Sequence, residues 1–181
     1  MRLEDYQASA PAEVSSRQDG DRCTLIFVRH SHHSPERLWS ALSDRDQLPK
    51  WAPFRPDRDL HRVGPVTLTM VDGSTPEALA SEVLRVEPGQ LLEYSWGADS
   101  VLCWALESSG TGSRLTLQHT VNKPEWIIPA AAGWHMCLDF AELMLDGHEL
   151  GPVLAETAME YGWQELAEHY SKVLASSNES E

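Results

Sequence analysis

LLEYSW (91–96), VLCWALE (101–107) and SRLTLQHTV (113–121) precede a Pro-Glu-Trp loop at 124–126, which leads into GWHMCLDFAELML (133–145). In the first three stretches apolar and polar residues alternate, the period of a half-buried strand. Leu92, Tyr94 and Trp96 face one way, and Glu93 and Ser95 the other. Gly97-Ala98-Asp99 turns the chain, after which Leu102, Trp104 and Leu106 continue the apolar face. Beyond a Gly-rich turn at 108–113, Leu115, Leu117, His119 and Val121 point inward, with Arg114, Thr116, Gln118 and Thr120 outward. The fourth stretch changes period. Trp134, Cys137, Leu138, Ala141 and Leu145 share one stripe of a helix expected over about 129–146, with Gly147 as its stop signal. Three antiparallel strands feeding a long apolar helix predict an α+β fold, a curved sheet wrapped around that helix with a space between them.

Upstream, CTLIFVRHS (23–31) reads as the first strand. Ser34-Pro35-Glu36 marks a helix start, with Ser as cap and Pro at the first helical position, and Leu38, Trp39 and Leu42 form the apolar stripe. A second short helix is expected from Ser43 or Asp44 to around Leu48-Pro49, followed by Trp51 and Phe54 in a Pro-interrupted loop. Val66, Leu68 and Met70 alternate up to a turn at Asp72-Gly73, and Leu79 to Val86 forms another strand. Gly151-Pro152 restarts a last helix, with Leu154, Ala158, Tyr161, Leu166, Tyr170 and Val173 at helical spacing. The expected organisation is one domain over 23–174, including a C-terminal helical extension at 152–174. A disordered lead-in (1–22) and a disordered tail (175–181) flank it.

The net charge of −14 argues against a nucleic-acid partner and against docking on anionic membranes. From Asp139 onward there are ten acids and one base, Lys172, read as a solvated helix surface or a docking face for a basic partner. No run of 18 apolar residues and no basic-then-apolar leader is present, so a cytoplasmic location is expected. Cys23, Cys103 and Cys137 are widely spaced and odd in number, and read as small core residues rather than as a zinc site or a disulfide framework.

The order strand, helix, helix, strands, long helix carries a series of matching words. They are the first strand into SPERLWSALSD, then LPKWAPF, RVEPGQLLEYSW, GTGSRLTLQHTV and GWHMCLDFAELML, and they cover roughly Leu25 to Leu145. In these the chain resembles the Hsp90-ATPase-activator-homology group of the START-like (SRPBCC, Bet v 1-like) superfamily. The resemblance implies a helix-grip fold with a gap between sheet and helix. The group often has a second Trp directly after Trp51, where this chain has Ala52-Pro53. The helical extension lies beyond the core pattern, although many bacterial relatives carry similar tails. The eukaryotic co-chaperone of the group has a separate N-terminal domain that engages the chaperone, and no segment here supplies one.

Aromatic and aliphatic residues at strand and helix spacing read first as core. With the gap that the resemblance implies, they become walls of a site for an apolar or aromatic small molecule. The candidate set is Trp51 and Phe54 at the entrance, Leu68, Met70, Tyr94, Trp96, Trp104, Leu117, Trp134 and Leu138 as walls, and His119 as the orienting polar group. His119 matches a position where the group often has His; alternatively it is a core histidine bonded to a backbone carbonyl or a helix side chain. Glu82 could share its face and form an acid–base pair, the basis of an alternative enzymatic reading as a cyclase or hydrolase. No nucleophile elbow, phosphate loop or dinucleotide fingerprint is present, and no catalytic motif is identified. His30 and His32 could share one face, but two imidazoles make an incomplete metal site, so no metal and no cofactor is expected. A third reading is a chaperone-associated interaction protein working through the acidic C-terminal helices. The apolar stripe of the last helix could also pair two subunits into a homodimer.

Overall fold

Alternation in the stretch 91–121 folds as a three-stranded antiparallel meander at the centre of a larger sheet. In the computed structural model, which describes residues 1–71, 76–152 and 154–178, the strands are β1 (Glu13–Asp19), β2 (Arg22–Ser31), β3 (Phe54–Pro56), β4 (Gly64–Met70), β5 (Ala78–Glu87), β6 (Leu91–Trp96), β7 (Ser100–Ser109) and β8 (Gly112–Val121). They form one antiparallel sheet in the order β1-β2-β8-β7-β6-β5-β4-β3. The turn expected at Asp72-Gly73 lies outside the described residues. Helices α1 (Pro35–Ser43), α2 (Ile127–Leu145), α3 (Ala155–Glu160) and α4 (Trp163–Asn178) complete the α+β architecture. The Ser34 hydroxyl caps α1 by accepting from the Arg37 backbone N–H, with Pro35 at the first helical position.

The inner face of the sheet packs on α2. Leu25, Phe27, Leu68, Leu92, Leu102 and Leu117 are fully buried, and β8 is locked between β2 and β7, so that His119 stands opposite both Leu25 and Leu102. Gly112 permits a close crossing at the start of β8. A Cβ there would sit 2.0 Å from the Ser31 carbonyl oxygen, so a side chain would push apart the backbone at the end of β2. At the other end of α2, Gly147 takes a positive φ of 90° while its N–H and that of His148 bond back into the last turn, which stops the helix.

Several expectations need correction. The second short helix is only a 3-10 turn at Leu48–Lys50, because Pro49 lacks an N–H and allows no α-helical continuation. The last helix is split into α3 and α4 by Gly162, whose φ is 101°. Leu166 and Tyr170 of its stripe, with Leu174 beside them, are buried within the chain, where α4 packs on α2 and β1. The tail expected to be disordered from 175 is helical to Asn178. Cys23 and Cys137 are buried, but Cys103 is only half-buried on the outer side of β7.

The lead-in at 1–22 is the largest difference. Glu13–Asp19 pairs along β2, and the segment before it docks on α2 through a buried carboxylate. Asp139 accepts from the Tyr6 hydroxyl at 2.7 Å and from the Ser9 N–H at 2.9 Å and Oγ at 2.6 Å, and it forms an ion pair with Arg29. His135 lies between Ser9 Oγ (3.2 Å) and the Tyr170 hydroxyl (2.7 Å), and the Ala12 N–H donates to that same hydroxyl. Polar composition hides this docking from a reading based on periodicity. Burial acts to raise the Asp139 pKa, but the His135 and Ser9 hydrogen bonds and the Arg29 charge outweigh it and hold the carboxyl well below its usual range.

A pKa lowered in the fold gives stability that is complete above the unfolded value of about 3.9 and is lost as pH falls below it. Asp139→Asn should therefore cost about 3 kcal/mol at neutral pH, since it leaves Arg29 without its charge partner. It should also flatten the acid limb below about pH 4. Urea denaturation across that range measures both effects; a variant as stable as the parent would show that the clamp carries no weight.

Candidate functional site

Six aromatic side chains run through the interior in edge-to-face and tilted contacts. Trp51 meets Trp104 at 6.3 Å, Trp104 meets Trp134 at 5.2 Å, Trp134 meets Trp96 at 5.7 Å, Trp96 meets Phe54 at 5.0 Å, and Phe54 meets Tyr94 at 6.2 Å. Such arrangements are favoured by the ring quadrupoles. Three indoles also have their polar tips satisfied. Trp51 Nε1 donates to the Ala41 carbonyl, Trp104 Nε1 to the Tyr94 hydroxyl, and Trp134 Nε1 to His119 Nδ1. The middle of the space between sheet and helix is thus filled by these rings themselves.

The opening lies beside Trp134 and Trp96, the middle pair of this series. A cavity of about 300 Å³ is bounded by Trp96 and His119 on the sheet and by Ala130, Gly133, Trp134 and Cys137 on α2. Leu154, Ala155 and Ala158 of the α3 region and Trp163 of α4 close it. Its size arises from small residues. Ala130 and Gly133 sit three apart on α2, and a Cβ added at Gly133 would meet nothing within 4 Å. A second hollow of about 270 Å³ shares Trp96, His119 and Ala130 and reaches the exposed Trp126.

Of the eleven side chains expected to form the site, only Trp96, His119 and Trp134 line the main cavity. Trp51 and Phe54 are not at an entrance; both are fully buried, as are Leu68, Tyr94, Trp104, Leu117 and Leu138, while Met70 packs half-buried against that core. Glu82 is exposed on the outer face of β5 and cannot pair with His119. The physical reason is a β-bulge between Val83 and Arg85, which resets the alternation so that Val86 and Val83 both face the core. Extrapolating from Val86 through Leu84 therefore places Glu82 on the wrong side. Trp163 and Gly133 were missed. The small-residue spacing of Ala130 and Gly133 was the available signal.

His119 is the polar group of the cavity wall. Its Nδ1 accepts from Trp134 at 3.0 Å, so the neutral ring carries its proton on Nε2. That Nε2 is buried and has no hydrogen-bond partner among the described residues. Burial pushes the pKa down to about 4, which keeps the ring neutral at physiological pH. Cys137 is equally shielded, its thiol pushed up to about 12 by burial.

The family described as "Activator of Hsp90 ATPase homolog 1-like protein" matches residues 32–145. Among solved structures, CalU16 from Micromonospora echinospora is 22% identical, with 86% of this chain and 96% of that chain covered and a TM-score of 0.62. The AHSA1 protein from Silicibacter pomeroyi is 26% identical over 69% of this chain and 99% of that chain, with a TM-score of 0.60. EF2215 from Enterococcus faecalis is 14% identical over 91% of each chain, with a TM-score of 0.67. No curated protein gives a match. The segment matched to the family ends at 145, so Leu154, Ala155, Ala158 and Trp163 close the cavity from outside it.

Because the His119 pKa is depressed, its contribution to stability is complete above the unfolded value of about 6.5 and is lost as pH falls towards 4. The expected loss over that range is up to about 3 kcal/mol, and His119→Gln should remove it. Comparing the denaturation free energies of the two proteins at pH 7 and pH 4 tests this; a difference that stays constant with pH would refute it.

Proposed function

The chain belongs to the activator of Hsp90 ATPase homolog 1-like family, and from that premise we propose that it binds a small fused-ring aromatic molecule bearing a hydrogen-bond acceptor. The ligand would occupy the cavity between the sheet end, α2 and the C-terminal extension. The observation that carries this reading is a cavity wall that joins indole faces and apolar residues to His119, a neutral imidazole whose buried Nε2–H has no partner among the described residues. A buried donor without a partner costs free energy, on the order of 1–3 kcal/mol, which an incoming carbonyl or phenolic oxygen would recover. The cavity volume of about 300 Å³ lies at the lower end of the range for small-molecule sites. Trp96, Trp134 and Trp163 supply flat faces for stacking, and the neutral imidazole orients the acceptor.

The chemistry favours binding over turnover. With Glu82 on the outer face, His119 has no carboxylate partner at the cavity wall among the described residues, and a ring with a pKa near 4 is a weak general base at neutral pH. The fold itself is compatible with a ligand-holding role, and no more specific activity is needed to account for the site.

Gly133→Leu should fill the cavity while removing a helix-interior glycine, so the fold should be retained or slightly strengthened. Titration by tryptophan fluorescence with naphthol, anthraquinone and naphthalene probes should give saturable binding to the parent, weakened at least tenfold in Gly133→Leu. His119→Phe should weaken naphthol and anthraquinone but not naphthalene. Failure of all three probes to bind, or unchanged binding to Gly133→Leu, would exclude this cavity as the site.

A further inference from the structure

His32 and His33 leave the end of β2 and meet the last turns of α2, where Glu142 and Asp146 stand one helical turn apart. His32 Nε2 lies 3.0 Å from Asp146 Oδ1, and His33 Nε2 lies 3.2 Å from that same oxygen. Glu142 Oε2 is 3.6 Å from His33 Nε2 and 3.7 Å from His32 Nδ1. The two imidazole rings are 4.0 Å apart between centroids. One donor atom each from His32, His33 and Asp146 falls within 4.8 Å of both the others.

A second, independent feature separates this group from an ordinary surface ion-pair cluster. His33 is only 4% exposed, and its Nε2 has no hydrogen-bond partner despite carboxylate oxygens at 3.2 and 3.6 Å. The nitrogen is buried among acceptors and aligned with none of them. In a tetrahedral zinc site with metal–ligand distances of about 2.0–2.2 Å, neighbouring donor atoms stand about 3.4 Å apart. The two imidazole Nε2 atoms, at 3.0 and 3.2 Å from the Asp146 carboxylate oxygen, stand close to that separation.

We propose that His32, His33 and Asp146, with water in the fourth position, bind a zinc-class divalent cation that ties the end of β2 to the end of α2. Two imidazoles and a carboxylate suit zinc, cobalt or nickel, whereas magnesium and calcium prefer all-oxygen shells. Arg37 defines what must change on binding. Its Nη1 donates to His33 Nδ1 at 3.1 Å, which places the proton of the neutral ring on Nε2. Coordination through Nε2 expels that proton to solvent while Nδ1 takes one up, so the ring stays neutral and switches tautomer. Arg37 then withdraws from Nδ1 and keeps its bond to the Leu145 carbonyl. Asp146 and Glu142 contribute the negative charge that offsets the ion.

The backbone supports the placement. Gly112 allows the Ser31–His32 backbone to lie against the start of β8, and the Ser113 hydroxyl donates to the His33 carbonyl at 2.7 Å. His30 lies on the same segment but outside the cluster, which makes it the natural control.

The test is calorimetric titration of the untagged, chelator-treated full chain with zinc chloride, alongside the visible spectrum of the cobalt-loaded protein. One site per chain is expected, with a tetrahedral cobalt spectrum and a rise in melting temperature on adding zinc. His32→Ala and Asp146→Asn, both at partly exposed positions, should each weaken zinc at least tenfold, and His30→Ala should leave it unchanged. Absence of one-site binding, or zinc affinity within twofold of the parent in both His32→Ala and Asp146→Asn, would overturn the proposal and leave a simple ion-pair cluster.

Discussion

A carboxylate taken out of water must be given partners, and Asp139 is the place where this fold meets that requirement. Its four partners come from three separate parts of the chain: Tyr6 and Ser9 from the N-terminal segment, Arg29 from β2, and His135 from the preceding turn of α2. Tyr170 joins the group from α4 through His135. A buried ion pair of this kind adds little net stability compared with an apolar pair, but it tolerates only one arrangement of its partners. It therefore fixes how the N-terminal segment, the sheet and both long helices sit together, and with them the cavity that they enclose.

The rings beside this clamp divide the interior into two regimes. From Trp51 to Trp134 each aromatic face or tip is already used by another protein group, and the interior there is closed. Past Trp134 the packing changes, because α2 turns Ala130 and Gly133 towards α3 instead of larger side chains. Space appears where side-chain volume is withheld. That the same helix builds both regimes explains how a single stripe can serve as core at one end and as cavity wall at the other.

Much of the architecture was legible in the sequence. Alternation at 91–121, the Ser34-Pro35 start and the Gly147 stop are local signals, and each depends on physics that a few neighbouring residues settle. The resemblance to the family likewise rested on words that, apart from the first strand, the match over 32–145 includes. The failures were non-local or involved a break in period. A single bulge at Val83–Arg85 inverted the reading of Glu82. Residues 6–12 gave no periodic signal, although Tyr6, Ser9 and the Ala12 backbone supply the hydrogen bonds that dock the segment. The site was only partly legible, since Trp96, His119 and Trp134 were found but the residues from the extension were not. Which aromatic residues fill a space and which surround one depends on distances between elements, and strand alternation carries no information about those.

The position of β1 has a consequence for how this chain avoids sticking to itself. A ten-residue strand such as β2, with Leu25, Phe27 and Val28 buried, would be a hazardous sheet edge, offering an unpaired apolar ladder to any similar strand nearby. In the intact chain that ladder is taken by the serine- and charge-rich β1, and the opposite margin ends in the three-residue, proline-bearing β3. The N-terminal segment thus acts as a guard strand. Removing residues 1–21 alone would expose the ladder and invite intermolecular pairing, even with every residue of the cavity still in place.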